Sequence, residues 1–367
     1  MSGYYSTGEK RRIDGGDGRA MTMFNEPVNK RSRPLINSNN ELVPVAGAAN
    51  RALQISKGAR TSSLSAPIML LTGHQKEIFS GRFHPNGSFL ASSGFDRQIF
   101  FWNTFGDCEN FHVMTGHTGA ILDMEFSTGG DFLYTCSTDK TLSIWDTFVG
   151  VRVRKLRGHS SYVNALHPAR RGPQLVVSAG DDSTVRLWDA RRKTPVKTLQ
   201  DHYQLTAISF NDTADQVITG GIDNVLKIWD LRKDEVVLRM YGHHDTVTGL
   251  TLSHHGGLVL SNSMDGTLRA WDVRPYALPE RCVALYQGHQ HNFEKTLLRC
   301  SWSPDDARIT CGSADKYVYV WDFHTRRILY KLPGHLGSVN DVRFHPKEPI
   351  LMSVGSDKQI FLGEIEP

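Results

Sequence analysis

Two landmarks return along the 367 residues at nearly constant spacing, and they constrain the fold more than any other feature. A Gly-His pair stands at 73-74, 116-117, 158-159, 242-243, 288-289 and 334-335, with Asp201-His202 in the one gap. Successive histidines are therefore 43, 42, 43, 41, 46 and 46 residues apart. An Asp follows each pair, and six residues after it comes a Trp in six of the seven copies; the last has Asp357 with Gly363 at the Trp position. A period of 20 to 50 residues means one supersecondary unit repeated, each copy burying its apolar face against its neighbours. Within the period, β-branched and aromatic runs such as Ile99 to Trp102 alternate with turn signals such as Pro85-Asn86-Gly87 and Thr128-Gly129-Gly130. That alternation reads as strands joined by tight turns, and no segment carries the spacing of a long amphipathic helix.

These landmarks resemble the WD-repeat family, and five of the six Trp are followed by Asp. The resemblance implies an all-β, seven-bladed β-propeller with four strands in each blade. The seventh copy reaches Pro367 one strand short, whereas residues 67–72 form a strand with no repeat of their own. We expect that strand to be the outer strand of the last blade, closing the ring and pairing an otherwise open edge. The propeller is expected over residues 66–367, and residues 1–65, rich in Ser, Asn, Gly and Arg, are expected to be a disordered basic tail.

Four residues before each Asp stands a hydroxyl or its substitute. The sets are His74, Ser92, Asp96 and Trp102; His117, Thr135, Asp139 and Trp145; His159, Ser178, Asp182 and Trp188; and His202, Thr219, Asp223 and Trp229. They continue with His243, Ser261, Asp265 and Trp271; then His289, Cys311, Asp315 and Trp321; then His335, Ser353 and Asp357. The resemblance implies a hydrogen-bond chain through each set. The residue types suit it, because a buried indole N–H and imidazole need partners that a hydroxyl and a carboxylate supply. Leaving one such group unpaired costs about 1–3 kcal/mol. The first five sets are complete; Cys311 and the missing seventh Trp break the pattern in the last two. Sevenfold repetition is what packing needs, whereas a catalytic centre would occur once.

The sequence holds no HExxH, GxxxxGK[ST] or GxSxG, and no Cys or His cluster at metal-ligand spacing. No enzyme activity, cofactor or metal is expected. Five cysteines at 108, 136, 282, 300 and 311 form an odd set without CxxC spacing, read as reduced thiols of an intracellular protein. No stretch approaches the roughly 18 apolar residues of a membrane span. The net charge of +4 is too small to make the whole chain a polyanion binder. Its distribution is uneven, since residues 1–66 hold ten basic and five acidic residues. Within them, Lys10-Arg11-Arg12 and Lys30-Arg31-Ser32-Arg33 are candidate nuclear-import patches.

A rigid ring works through its loops, so departures from the repeat are the informative positions. The Val273 to Glu280 connection is longer than its counterparts, and so is the next one, which carries His291, Asn292, Phe293, Glu294 and Lys295. The two insertions are expected on opposite faces, with neutral loop drift as the competing reading. Arg170 and Arg171, together with Arg191, Arg192 and Lys193 and with Arg232-Lys233, are expected to share one face. They are candidates for an acidic protein surface or for RNA phosphates, against a plain reading as solvated loop charge.

Several non-consensus stretches resemble the splicing members of the WD-repeat family: Ala169-Arg-Arg-Gly-Pro-Gln-Leu, Trp271-Asp-Val-Arg-Pro, His291-Asn-Phe-Glu-Lys and Arg326-Arg-Ile-Leu-Tyr-Lys-Leu-Pro-Gly-His. The resemblance covers essentially residues 66–366. It implies a nuclear, non-catalytic scaffold whose partners are proteins of the U5 small nuclear ribonucleoprotein, chiefly its large core protein, with RNA contact indirect or minor. The alternative is a substrate receptor of a cullin-RING ubiquitin ligase, suggested by the Trp-Asp-x-Arg turns ending at Arg191, Arg232 and Arg274.

Overall fold

The computed structural model describes residues 62–366, which form seven four-stranded antiparallel sheets. The first blade shows the plan, with strands Ile78–Phe83, Phe89–Gly94, Gln98–Asn103 and Asn110–Thr115 paired in sequence order. We call these a, b, c and d from the innermost strand outward. Because neighbours run antiparallel, the a–b and c–d turns lie on one face of the ring; the b–c turns and d–a crossings lie on the other.

Burial falls from the centre outward and follows composition. Strand a of blade four, Leu205–Phe210, is buried throughout, because neighbouring blades cover both of its faces. The outer strand Asn110–Thr115 buries only Met114 and is otherwise exposed. One apolar cluster fills each junction between adjacent blades. Ile99, Phe101 and Met114 of blade one meet Met124, Leu133 and Trp145 of blade two, and this arrangement continues around the ring. The thinnest junction joins blades six and seven, where the buried members are Val318, Val320, Val339, Val342, Leu351 and Ile365.

Closure is made by the strand ahead of the first repeat. Ile68–Thr72 pairs antiparallel with Gln359–Glu364, from Ile68 opposite Gly363 to Thr72 opposite Gln359, and is the fourth strand of blade seven. Leu71 enters the cluster between blades seven and one together with Ile360 and Leu362. Residues 62–65, assigned to the tail on composition, are also docked on blades one and seven, which moves that boundary back. Leu64 is buried and bridges Gly106, and the Ser63 amide donates to Glu348. The rest of the expected tail, with its two basic runs, lies outside the described residues.

The His-Pro turns clip neighbouring blades together. His84 Nε2 lies 3.2 Å from the Gly130 carbonyl, and His345 Nε2 lies 2.9 Å from that of Gly87. Both glycines have left-handed backbones, and a Cβ on Gly130 would fall 2.1 Å from the His84 ring, so only glycine admits the clip.

Candidate functional site

The repeated polar residues meet at the face carrying the b–c turns. In blade three the Trp188 indole N–H donates to Ser178 Oγ at 2.9 Å, and Ser178 Oγ lies 2.7 Å from His159 Nε2. His159 Nδ1 is 2.8 Å from Asp182. Trp can only donate, so the hydroxyl accepts from it and sends its own proton to Nε2, leaving Nδ1–H to donate to the carboxylate. Blades one, two and five have the same geometry through Trp102, Ser92, His74 and Asp96; Trp145, Thr135, His117 and Asp139; and Trp271, Ser261, His243 and Asp265. Burial would raise the pKa values of Asp139, Asp182 and Asp265. The bonds from the histidine and a neighbouring threonine outweigh it and hold each carboxylate well below its usual range.

Three blades depart from this scheme, and one departure corrects the sequence reading. His202 is exposed and outside the blade. Its place is taken by Lys227, whose ammonium lies 2.7 Å from buried Asp201 and 2.6 Å from Asp223. Trp229 still donates to Thr219 at 2.9 Å. Lys227 stands two residues before the repeat Trp, and a lysine in the interior of a β-rich run was the available signal. In blade six His289 does not reach Asp315. Its Nε2–H donates instead to Asn262 of blade five at 2.8 Å, and its Nδ1 has no hydrogen-bond partner among the described residues. Asp315 accepts from the Tyr319 hydroxyl at 2.6 Å, Cys311 lies against the Gly312 carbonyl, and Trp321 turns to the Gln287 carbonyl. Blade seven keeps His335 between Ser353 and Asp357, and the Phe361 ring packs edge-on to the imidazole at 4.6 Å.

The loops separate as the strand order requires. Residues 273–280, with Tyr276 fully exposed, lie on the a–b and c–d face. The insert with Phe293, 90 % exposed, lies on the opposite face. Glu294 and Lys295 are exposed there, while His291 is half-buried against His289 and Asn262. Burial and His291 hold the His289 pKa down to about 3.

Of the basic cluster, Arg191, Arg192 and Lys193 are exposed, and Arg171 pairs with Asp212 at 2.9 Å. Arg170 is not part of that surface. It turns inward across the central channel and donates to the Leu252 and Ser253 carbonyls at 2.7 and 2.6 Å. Arg232 pairs with Asp215, and Arg274 folds back on Asp272.

The channel itself has a volume of about 490 Å³ and carries charges that the repeat pattern does not disclose. Arg82 of blade one is buried among Asp123 and Glu125 of blade two and Asp341 of blade seven. Burial disfavours its charge, but the three carboxylates outweigh that and raise its pKa. Arg299 of blade six reaches across to the Asn164 carbonyl of blade three at 2.6 Å. Among the described residues no group of three His, Cys, Asp or Glu converges as a metal site requires.

A seven-bladed ring with an indole–hydroxyl–imidazole–carboxylate chain in four of its blades is a WD-repeat propeller, and the chain belongs to the WD domain, G-beta repeat family. That family's pattern matches residues 65–103, 108–146, 150–189, 193–230, 235–272, 280–322 and 326–362. Among individual proteins, the chain is 60 % identical over 307 residues to the "U5 small nuclear ribonucleoprotein 40 kDa protein" of Homo sapiens, covering 84 % of this chain and 86 % of that one. It is 45 % identical over 355 residues to the protein of the same name from Dictyostelium discoideum, covering 94 % of this chain and 100 % of that one. To "Pre-mRNA-splicing factor cwf17" of Schizosaccharomyces pombe it is 42 % identical over 306 residues, covering 83 % and 90 %.

Proposed function

We propose that the protein is a non-catalytic scaffold of the U5 small nuclear ribonucleoprotein, working in the nucleus in pre-mRNA splicing. The carrying observation is 60 % identity to a U5 40 kDa protein over 307 residues, 84 % of this chain. The geometry supports a scaffold in a second way, because in blades one, two, three and five the repeated His, Asp and hydroxyl groups are committed to each other. What remains for partners is the loops. The exposed Arg171, Arg191, Arg192 and Lys193 on one face, and Phe293, Glu294 and Lys295 on the other, are the proposed contacts with ribonucleoprotein subunits, the large core protein first among them. Binding energy at such interfaces concentrates in a few aromatic and Arg anchors.

The test is purification of the tagged protein from nuclear extract, with and without ribonuclease. U5 RNA should co-purify before digestion, and the core proteins should remain after it. Recovery of cullin-ligase subunits without small nuclear RNA would overturn the proposal in favour of a ligase receptor.

A further inference from the structure

The residue after each network Asp, in the b–c turn, has a left-handed backbone in every blade. It is Arg97 (φ 66°), Lys140 (67°), Ser183 (59°), Asn224 (64°), Gly266 (72°), Lys316 (73°) and Lys358 (68°). Glycine suits this conformation and asparagine tolerates it, whereas a long side chain is strained there. Four of the seven positions nevertheless hold Arg or Lys, and they fall on consecutive blades: six, seven, one and two. All four side chains are exposed, and among the described residues none has an ion pair or side-chain hydrogen bond.

The same arc gathers further cations and aromatic rings. Lys76 and Lys295 lie in its d–a crossings, alongside Phe95, Tyr317, Phe293 and Leu336. Its exposed carboxylates are Glu77 and Glu294, because the turn aspartates face inward to His74, His117, Tyr319 and His335. The remainder of this face, over blades three to five, carries Ser183, Asn224 and Gly266 at the corresponding turn positions, and among the described residues its turns have no exposed Lys or Arg; Asp245 is exposed there, while Asp181 is half-buried and accepts from Asn164 at 2.6 Å. The cations of this face are thus confined to one arc, where the exposed Lys and Arg outnumber the two exposed carboxylates.

We infer that the arc over blades six, seven, one and two is a docking site for an extended acidic peptide segment of a protein partner. The placement of the cations fixes where such a segment lies, since an acidic chain is drawn to the arc that carries them and finds no exposed turn cation on the other. Peptide is favoured over single-stranded RNA because bases need free aromatic faces to stack on. Here two of the arc's three exposed rings carry a cation, Lys76 over Phe95 at 4.7 Å and Lys331 over Tyr317 at 4.3 Å, and Phe293 by itself is too little for successive bases to stack on. This reading rests on the face being a docking surface, and it needs no particular ribonucleoprotein.

The test uses the purified protein, a fluorescein-labelled twelve-residue polyglutamate peptide and a twelve-nucleotide oligouridylate. The peptide should bind, with affinity falling as salt rises, and more tightly than the RNA. The combined variant Arg97→Gly, Lys140→Gly, Lys316→Gly and Lys358→Gly should lose at least tenfold in peptide affinity while its melting temperature stays level or rises, which separates binding from folding. The control Arg327→Ala and Lys347→Ala, exposed on the opposite face in the c–d turn of blade six and the a–b turn of blade seven, should bind like the parent. Absence of peptide binding, an undiminished affinity in the fourfold variant, or preferential RNA binding would overturn the inference. Failure here leaves the ribonucleoprotein pull-down untouched, and success here does not depend on it.

Discussion

A tryptophan that can only donate sets the direction of an entire hydrogen-bond chain, and this is where single-residue effects should be largest. Ser178→Ala strands the Trp188 N–H and the His159 ring together and should cost about 1–3 kcal/mol in urea denaturation. His202→Ala, although at the same repeat position as His159, should change stability by less than about 0.5 kcal/mol, because its side chain is exposed. Lys227→Met leaves Asp201 and Asp223 facing each other without a counter-charge and should cost about 3–5 kcal/mol. A large effect at His202 with none at Lys227 would refute this assignment of the fourth blade. The spacing placed His202 correctly in the repeat. Which side chain turns inward was decided by a lysine on the adjacent strand, and a one-dimensional pattern does not contain that pairing.

Two histidines also predict how stability depends on pH. His289 is buried, and burial with the neighbouring His291 holds it to about 3; His167, in the channel wall beside Arg170, is held to about 3 by burial and that guanidinium. In the unfolded chain both titrate near 6.5. Below that pH the unfolded state binds protons that the native state refuses, so stability falls as pH drops from about 6.5 toward 3. Each such histidine contributes up to about 1.4 kcal/mol per pH unit. The depressed network aspartates add their loss only at lower pH, below about 4. Denaturation curves at pH 7.0, 6.0 and 5.0 should show the decline, and His289→Asn should flatten it by one histidine's share. Equal midpoints at all three values would contradict the assignment.

Among the elements, the closing strand and blade six carry the sharpest expectations. Leu71→Ala empties a buried position between the first and last blades and should cost about 2–5 kcal/mol. Deleting residues up to Thr72 exposes the edge of Gln359–Glu364 and should produce oligomers on size-exclusion chromatography, since an open edge invites pairing with another chain. Blade six has the short strands Cys300–Trp302 and Arg308–Cys311, a network without its hydroxyl, and the thinnest junction with blade seven. Its strand amides should lose hydrogen-exchange protection ahead of those of blade three, because local opening follows the fewest buried contacts. Strand placement was legible in the sequence because turn residues and β-formers alternate regularly. The docking of residues 62–65 was not, because their polar composition conceals one buried leucine, Leu64.

For the molecule as a whole, the channel charges act as struts between blades that are distant in sequence. Arg82 joins blades one, two and seven across the point of closure, and Arg299 spans from blade six to blade three. Arg82→Met would leave three buried carboxylates without their shared partner. It should cost about 3–5 kcal/mol, read as a lower midpoint of a single unfolding transition. A neutral result would mean that the carboxylates find other partners or protonate.

The sequence by itself determined the ring: seven copies of one unit at fixed spacing, a missing last strand and a spare first one permit a single closed arrangement, because each unit can bury its apolar faces only against the next. Tertiary structure alone decided how the charges are used. Arg170 became a strut instead of a surface contact, Lys227 took over a histidine's place, and four basic turn residues were gathered on adjacent blades. The strut and the basic arc depend on which repeats the closed ring brings together, and the lysine on contacts across the strands of one blade; periodicity along the chain is blind to both.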